Sequence, residues 1–387
     1  MVYWTILLIP PMRILLAFDK FKGSLTAVQV AEAAQRGLQR SWPEVEVVVS
    51  PIADGGEGFT EAVLSACEGE GRWMDAKTHD AQGRPMKSRY GIVQRDGEAE
   101  AVMEMSAASG LALVKDLPLN PHLASTYGTG EMMLHALDQG VKRLLIGIGG
   151  SATNDGGCGM AMALGCRFLD KDGAELGCLP ADLDVLDRID ASGMTKCEVL
   201  VACDVDNPLL GEKGASTVYG PQKGVQEVGL FDGRLQRLAE VVKRDLGCDH
   251  RLVPGAGAAG GLGFGLMSFC GAELRGGFDI VADLSGLRAR IEQADLVITG
   301  EGRMDGQTLH GKGPHGVALM ARELGKPVVG IAGMVESDAG LEACFDGLVQ
   351  VKPESMSCEE AIANAAVLVE ETVAQRADWL KDLVSNR

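Results

Sequence analysis

Five short stretches of this 387-residue chain gather lysines, carboxylates, hydroxyls and glycines in patterns that suit phosphate and divalent-cation chemistry. The first runs Asp19-Lys20-Phe21-Lys22-Gly23-Ser24. Lys20 and Lys22 beside a helix start at Ser24 would make an anion site, the ammonium groups adding to the positive end of the helix. The plainer alternative leaves both lysines solvated and Ser24 as an N-cap. The second stretch, residues 53–59, sets Asp54 and Glu57 among three glycines. Its carboxylates could hold Mg²⁺ directly or through water, or Asp54 could simply cap the next helix.

The third stretch, LLIGIGGSATNDGG at 144–157, sends an apolar strand into a glycine-rich loop carrying Gly149, Gly150, Ser151, Thr153, Asn154 and Asp155. Backbone N–H groups and hydroxyls in such a loop predict a phosphate cradle. In the fourth, VLVACDVDNPL at 199–209, Asp204, Asp206 and Asn207 suit a metal or an adenosine-phosphate contact, with helix capping as the alternative. The fifth, TGEGRMDGQTLHGKG at 299–313, brings Glu301, Arg303, Asp305, His310 and Lys312 off the end of a strand. Residues 306–312 fit G-x-x-x-x-G-K, but Gly313 stands where a Walker motif needs Ser or Thr, so no P-loop is assigned. Mixed charges this dense are costly to keep without a partner or ligand, which favours a catalytic reading. Residues 255–260, GAGAAG, match a dinucleotide fingerprint but follow LVP rather than a strand. They predict close helix packing or backbone contact with a nucleotide, not NAD binding. No Ser-His-Asp or Cys-His set is suggested by order or spacing.

The elements that must position these loops read as α/β. Apolar runs at 13–18, 45–50, 295–299, 327–331 and 348–351 predict strands, and 24–40, 314–324 and 358–379 predict helices. That alternation implies a parallel sheet covered on both faces, a Rossmann-like domain. Between them the character changes. Alternating segments at 87–95 and 98–105 predict strands with one wet face, followed by glycine-dense loops. The expected organisation is a discontinuous domain, 12–70 with 278–387, interrupted by an inserted α/β domain at 71–277. Residues 1–11 read as an extension, apolar but without a basic segment and too short to cross a bilayer.

Bulk composition narrows the function classes. With 54 acidic against 36 basic residues the formal charge is −18, which argues against nucleic acid or an anionic membrane as partner. Anionic substrates would need a locally reversed field made of a few cations, N–H groups and Mg²⁺. Ten cysteines occur with no C-x-x-C pair, which predicts reduced thiols and a cytoplasmic location rather than a zinc or redox site.

Taken together the motifs DKFKGSLTA (19–27), PIADGGEGF (51–59), GIGGSATNDGG (147–157), ACDVDNPL (202–209), GAGAAGGLG (255–263) and TGEGRMDGQT (299–308) resemble the glycerate kinase family of the bacterial type-1 class. The resemblance spans residues 12 to about 382. It implies ATP:D-glycerate phosphotransfer with ATP and Mg²⁺, a two-domain α/β architecture, and 2-phosphoglycerate as the favoured product, other members giving the 3-phosphate. On that footing Lys20, Asp204, Arg303 and Asp305 are expected to be catalytic. Lys22, Ser24, Asp54, Glu57 and Ser106 are expected on the substrate. The nucleotide is expected on Gly149, Gly150, Ser151, Thr153, Asn154 and Asp155, with Glu301 and Lys312, and the metal on Asp54 and Asp204. Within that set Lys20, Lys22 and Arg303 would hold the glycerate carboxylate and the moving phosphate, and the carboxylates would serve Mg²⁺ and a base. A kinase for another small hydroxy acid, or a nucleotide-binding regulator without turnover, is the alternative.

Overall fold

The computed structural model describes residues 12–67, 71–95, 97–177, 179–309 and 313–385. The extension at 1–11, His310 and Lys312 lie outside the described residues. The chain divides into two compact units, one formed by residues up to Ile52 together with those from Ala282 onward, the other by Ala53–Val281. Residues 53–67, expected with the first unit, fall in the second, where the Phe59–Ala66 helix lies against the strands Pro85–Arg95 and Glu98–Glu104.

The first unit is built on a five-stranded sheet in the order Gly347–Gln350, Val328–Ala332, Leu296–Gly300, Arg13–Phe18, Glu46–Val49. Every pair in it is parallel. The residues of Leu296–Gly300 and Val328–Ala332 are buried throughout, as strands covered on both faces must be, and this is why they read as unbroken apolar runs. Numbered by their order in the unit, the strands run 2-1-3-4-5. Strand order therefore reverses between Arg13–Phe18 and Leu296–Gly300, the position where open α/β sheets receive ligands.

The helix over Ala27–Ser41 covers one face together with Ala365–Ser385. Val30, Ala34 and Leu38 share a core with Val369, Val373 and Leu380. Two helix limits differ from expectation. Thr26, not Ser24, is the N-cap: its side chain accepts from Gln29 N–H while the Gln29 side chain bonds the Thr26 N–H, a capping box. Ser24 instead sits in a turn with its N–H on the Phe21 carbonyl. The helix predicted over 358–379 is two helices, Cys358–Ala363 and Ala365–Ser385, parted at Asn364, whose Nδ2 donates to the Glu360 carbonyl at 2.8 Å. That side-chain bond competes with the helical ladder.

The second unit carries a six-stranded mixed sheet in the order Glu273–Arg275, Glu198–Ala202, Arg143–Gly147, Glu98–Glu104, Pro85–Arg95, Arg72–His79. The first four strands are parallel and the last two antiparallel. Met103, Leu144, Ile146 and Val201 form its core with Met132 and Met133 of the helix Tyr127–Asp138 and Leu262 of the helix Ala258–Cys270. The carboxyl ends of the four parallel strands therefore lie side by side.

Candidate functional site

In the second unit, four loops leave those carboxyl ends and are tied to one another by backbone bonds. Met105 N–H donates to the Gly147 carbonyl at 2.8 Å, Ile148 N–H to Ala202 at 3.3 Å, and Leu111 N–H to Gly150 at 2.9 Å. The segment carrying Asp54 joins them through Gly149 N–H, which donates to the Gly55 carbonyl at 3.2 Å. Gly55 has φ +79°, and a Cβ there would stand 2.8 Å from the Ala202 carbonyl oxygen; no other residue fits this approach without displacing the strand end.

The glycine-rich loop shows two different faces. Gly150 is exposed and Gly149 partly so, with a Cβ on Gly150 reaching within 3.2 Å of Ser106 Cβ. Ser106 Oγ in turn donates to Glu104 Oε2 at 3.4 Å, while Glu104 Oε1 accepts from Thr60 N–H at 2.9 Å. Glu104 thus satisfies an orphan donor in the first turn of Phe59–Ala66, a task the Asp54 alternative had been given. Asp54 Oδ1 accepts from Gly56 N–H at 3.0 Å, a local turn.

The hydroxyls point the other way, which corrects the expected cradle. Thr153 and Asp155 are fully buried and Asn154 nearly so. Asp155 Oδ2 accepts from Thr126 N–H, Thr126 Oγ1 and Gly159 N–H, and its Oδ1 from Gly157 N–H. Burial pushes this carboxyl above its ordinary range, and the donors pull it back. Asn154 Nδ2 donates to Ser216 Oγ at 2.9 Å, and its buried Oδ1 has no hydrogen-bond partner. These side chains hold the loop in shape, and what the loop presents outward is backbone.

Lys223 closes the loop from behind. It is 3 % exposed, and its Nζ donates to Ser151 Oγ at 3.1 Å and to the Thr153 carbonyl at 2.7 Å. Burial pulls this ammonium down to about 7, against the charge of Asp155. Nothing in PQKG, a lone lysine ending a single short 3₁₀ turn, announces this. The residues resembling a dinucleotide fingerprint serve packing: Gly260 at φ +68° lies so close that a Cβ would fall 1.9 Å from the Thr153 carbonyl oxygen.

Asp54, Glu57, Asp204 and Asp206 are exposed. Gly277 N–H donates to Asp204 Oδ1 at 3.0 Å, and a Cβ on Gly277 would lie 2.6 Å from the Asp54 carbonyl carbon. The loops of Asp54 and Asp204 therefore meet at one glycine. Asn207 is spent internally, its Oδ1 accepting from Tyr219 OH at 2.6 Å and its Nδ2 donating to the Lys213 carbonyl. Among the described residues no group of three or more His, Cys, Asp or Glu is gathered to hold a metal ion.

In the first unit a second group forms where strand order reverses. Phe18 stands opposite Gly300 in register, and Asp19 N–H donates to the Gly300 carbonyl at 2.9 Å. The loops after both strands consequently start together, and a Cβ on Gly302 would come within 3.1 Å of the Lys22 backbone nitrogen. Lys20 Nζ lies 3.6 Å from Asp19 Oδ1. Arg303 spans two carboxylates, with Nε 3.2 Å from Asp305 Oδ2 and Nη2 donating to Glu336. Glu336 follows the short strand Met334–Val335, which pairs with Arg303–Met304. Thr308 Oγ1 donates to Glu301 Oε1 at 2.8 Å and accepts from Asp305 N–H.

Lys22 is exposed, and Ser24 Oγ donates to the Ile362 carbonyl at 3.2 Å. The helix of this segment begins three residues beyond Ser24 with its own cap, so the expected pairing of Lys20 and Lys22 with a helix terminus is not formed. Glu104, Lys223 and Glu336 were not singled out from sequence. An acid closing an apolar strand was a usable sign for the first of these.

Comparison with known proteins gives one answer across the chain. The sequence model described as the glycerate kinase family matches residues 14–381. A glycerate 2-kinase of Escherichia coli K12 is 46% identical over 364 residues, covering 92% of this chain and 94% of that protein. A glycerate kinase of Bacillus subtilis 168 is 43% identical, covering 96% and 98%. The crystal structure described as glycerate kinase 2 from Salmonella typhimurium LT2 superposes with a TM-score of 0.85 at 43% identity, over 97% of this chain and all of that one. Among the described residues no helix is long and apolar enough to cross a membrane.

Proposed function

The chain belongs to the glycerate kinase family, and from that premise we propose that it moves the terminal phosphate of ATP onto the 2-hydroxyl of D-glycerate, giving 2-phosphoglycerate and ADP. The observation that carries the nucleotide reading is the loop at 148–157, which turns the backbone of Gly149 and Gly150 outward at the carboxyl end of a central parallel strand. With the Gly149 N–H on the Gly55 carbonyl, the Gly150 N–H is the one that suits a phosphate oxygen, and two glycines leave no side chain in the way. The choice of the 2-hydroxyl is supported by the relative named glycerate 2-kinase.

Phosphoryl transfer asks a protein chiefly to place donor and acceptor and to offset charge on the equatorial oxygens. In the second unit we assign the nucleotide phosphates to Gly149, Gly150 and the adjoining Ser106. Asp54 and Asp204 fit a magnesium ion, being exposed oxygen donors on loops that meet at Gly277; Mg²⁺ commonly takes one or two carboxylates and completes its shell with water and phosphate. When bound, the ion offsets negative charge on the donor's phosphates. Glu57, exposed beside Asp54, is assigned to the same ligand shell through water.

In the first unit we assign the acceptor's carboxylate to Arg303, whose planar fork already bridges the carboxylates of Asp305 and Glu336. Glycerate would take over one of those contacts. Lys20 offsets charge on the moving phosphate. Asp305 takes the proton of the acceptor hydroxyl as its oxygen bonds to phosphorus and the bond to the ADP oxygen breaks. Lys22 is assigned to the acceptor's negative charge and Lys312 to that of the nucleotide, while Glu301, whose Oε1 accepts from Thr308 Oγ1, is assigned to the nucleotide as a hydrogen-bond acceptor. The cysteine usage, free of metal-type or redox spacing, supports a cytoplasmic setting.

The test is ADP release with ATP and Mg²⁺ as each acceptor is offered in turn. D-glycerate should drive turnover well above L-lactate or tartronate. Equal or better turnover with another hydroxy acid would keep the kinase and replace its substrate, and ADP release with none would sink the proposal.

A further inference from the structure

The polar cluster behind the glycine-rich loop is more elaborate than the fold alone requires. Lys223 follows Pro221 in a single 3₁₀ turn, more than sixty residues from the loop it touches. Its ammonium is enclosed by protein, and its two recorded acceptors, Ser151 Oγ and the Thr153 carbonyl, both belong to that loop. Ser151 Oγ also accepts from Thr153 N–H at 3.1 Å and lies 3.3 Å from the Ala259 carbonyl oxygen. Ala259, at φ +54°, is the one non-glycine residue with positive φ among the described residues. Left-handed backbone at an alanine is strained and persists only where its surroundings hold it. A buried ammonium, an inward hydroxyl and a strained carbonyl thus converge directly behind Gly149 and Gly150.

Burying an amine in this way is costly, and an apolar side chain of the same length would fill the volume at less cost. The retained hydrogen bonds fix Ser151 and Thr153, two residues apart in the loop, and with them the direction of the Gly150 N–H just ahead of Ser151. We infer that Lys223 is a positioning residue for nucleotide binding, holding the loop at 148–157 in the shape that receives the donor's phosphates. This rests on the reading of that loop as the phosphate site. Lys223 is buried and bonded to that loop, so its loss should act on the donor and spare the acceptor.

The experiment is steady-state kinetics on the full chain, with ATP and D-glycerate varied separately, for Lys223→Met, Ser151→Ala and Gly150→Val. Lys223→Met shortens the side chain by one atom and removes both hydrogen bonds. The inference predicts a KM for ATP raised at least tenfold, a KM for D-glycerate within twofold of wild type, and a cooperative melting transition. A merely structural lysine would lower the amount of active enzyme and leave both KM values where they were, which would overturn the inference. Should Lys223→Met fail to fold, Ser151→Ala carries the test: a KM for ATP raised at least threefold supports the inference, and an unchanged value overturns it. Gly150→Val separates this inference from the reading beneath it. If it leaves the KM for ATP untouched, the loop is not the phosphate site and both fall. If it raises the KM for ATP while the Lys223 and Ser151 variants do not, only the role of Lys223 falls.

Discussion

Asp155 Oδ2 accepts two hydrogen bonds from one residue, the Thr126 N–H at 2.8 Å and the Thr126 hydroxyl at 2.7 Å. The same Thr126 Oγ1 accepts from Met160 N–H at 2.9 Å. One buried carboxylate and one hydroxyl thereby bind the start of the helix Tyr127–Asp138 to the start of Cys158–Ala163. The glycine-rich loop is anchored at its far end before any ligand arrives.

From this follows a stability prediction. In Asp155→Asn one oxygen becomes an NH₂ that faces N–H and O–H donors, so at least one buried donor loses its acceptor. Such a loss costs roughly 2–4 kcal/mol. Urea unfolding should show a drop of that size at unchanged slope. A change under about 0.5 kcal/mol would mean that the carboxylate does not carry the junction.

Lys223 makes stability depend on pH in a definite direction. Burial holds its folded value at about 7 against an ordinary value of 10.5. Between those values the unfolded chain holds a proton that the folded chain lacks, so stability rises with pH there. Relative to Lys223→Met, the wild-type unfolding free energy should climb between pH 7.5 and 9.5 by about 1 kcal/mol per unit. The charged groups that bear on this amine include Asp155, whose field opposes the shift. A flat difference across that range would mean that Lys223 titrates as an ordinary lysine.

Arg303 is the anchor assigned to glycerate. Arg303→Ala should lower kcat/KM for D-glycerate by well over tenfold, more than about 1.4 kcal/mol. Arg303→Lys should fall between the two, because an ammonium cannot offer a planar two-pronged contact. Near-normal kinetics in the alanine variant would remove Arg303 from the site.

The metal assignment predicts a change in cation demand. Asp204→Asn keeps an oxygen for Gly277 N–H while removing the charge, and Asp54→Asn does the same for Gly56 N–H. Each should raise the Mg²⁺ concentration for half-maximal rate at least tenfold, about 1.4 kcal/mol. An unchanged requirement in both would move the ion elsewhere.

Much of the fold is legible in the residues because parallel strands buried on both faces read as unbroken apolar runs. RILLAF, LVITG and VVGIA are strands of the first sheet. Helix ends were harder. Ser24 and Thr26 are both plausible caps, and only Gln29, three residues beyond Thr26, decides between them. The break at Asn364 carries no glycine or proline to mark it. At the site, sequence brought out the loops but not which way their side chains face. Ser151, Thr153 and Asn154 look like phosphate ligands in a list of residue types. Only the left-handed turn Ala259–Gly261 and the distant Lys223, arriving from behind, show that they are turned inward.

The central claim, transfer from ATP to the 2-hydroxyl of D-glycerate, is tested most directly by phosphorus NMR of a reaction containing the protein, D-glycerate, ATP and Mg²⁺. A monoester signal should grow as the terminal phosphate of ATP declines, split into a doublet by the single proton on carbon 2. A triplet would place the phosphate on the 3-oxygen and contradict the assigned product. Absence of any monoester under conditions where the chain is folded would contradict the transfer itself.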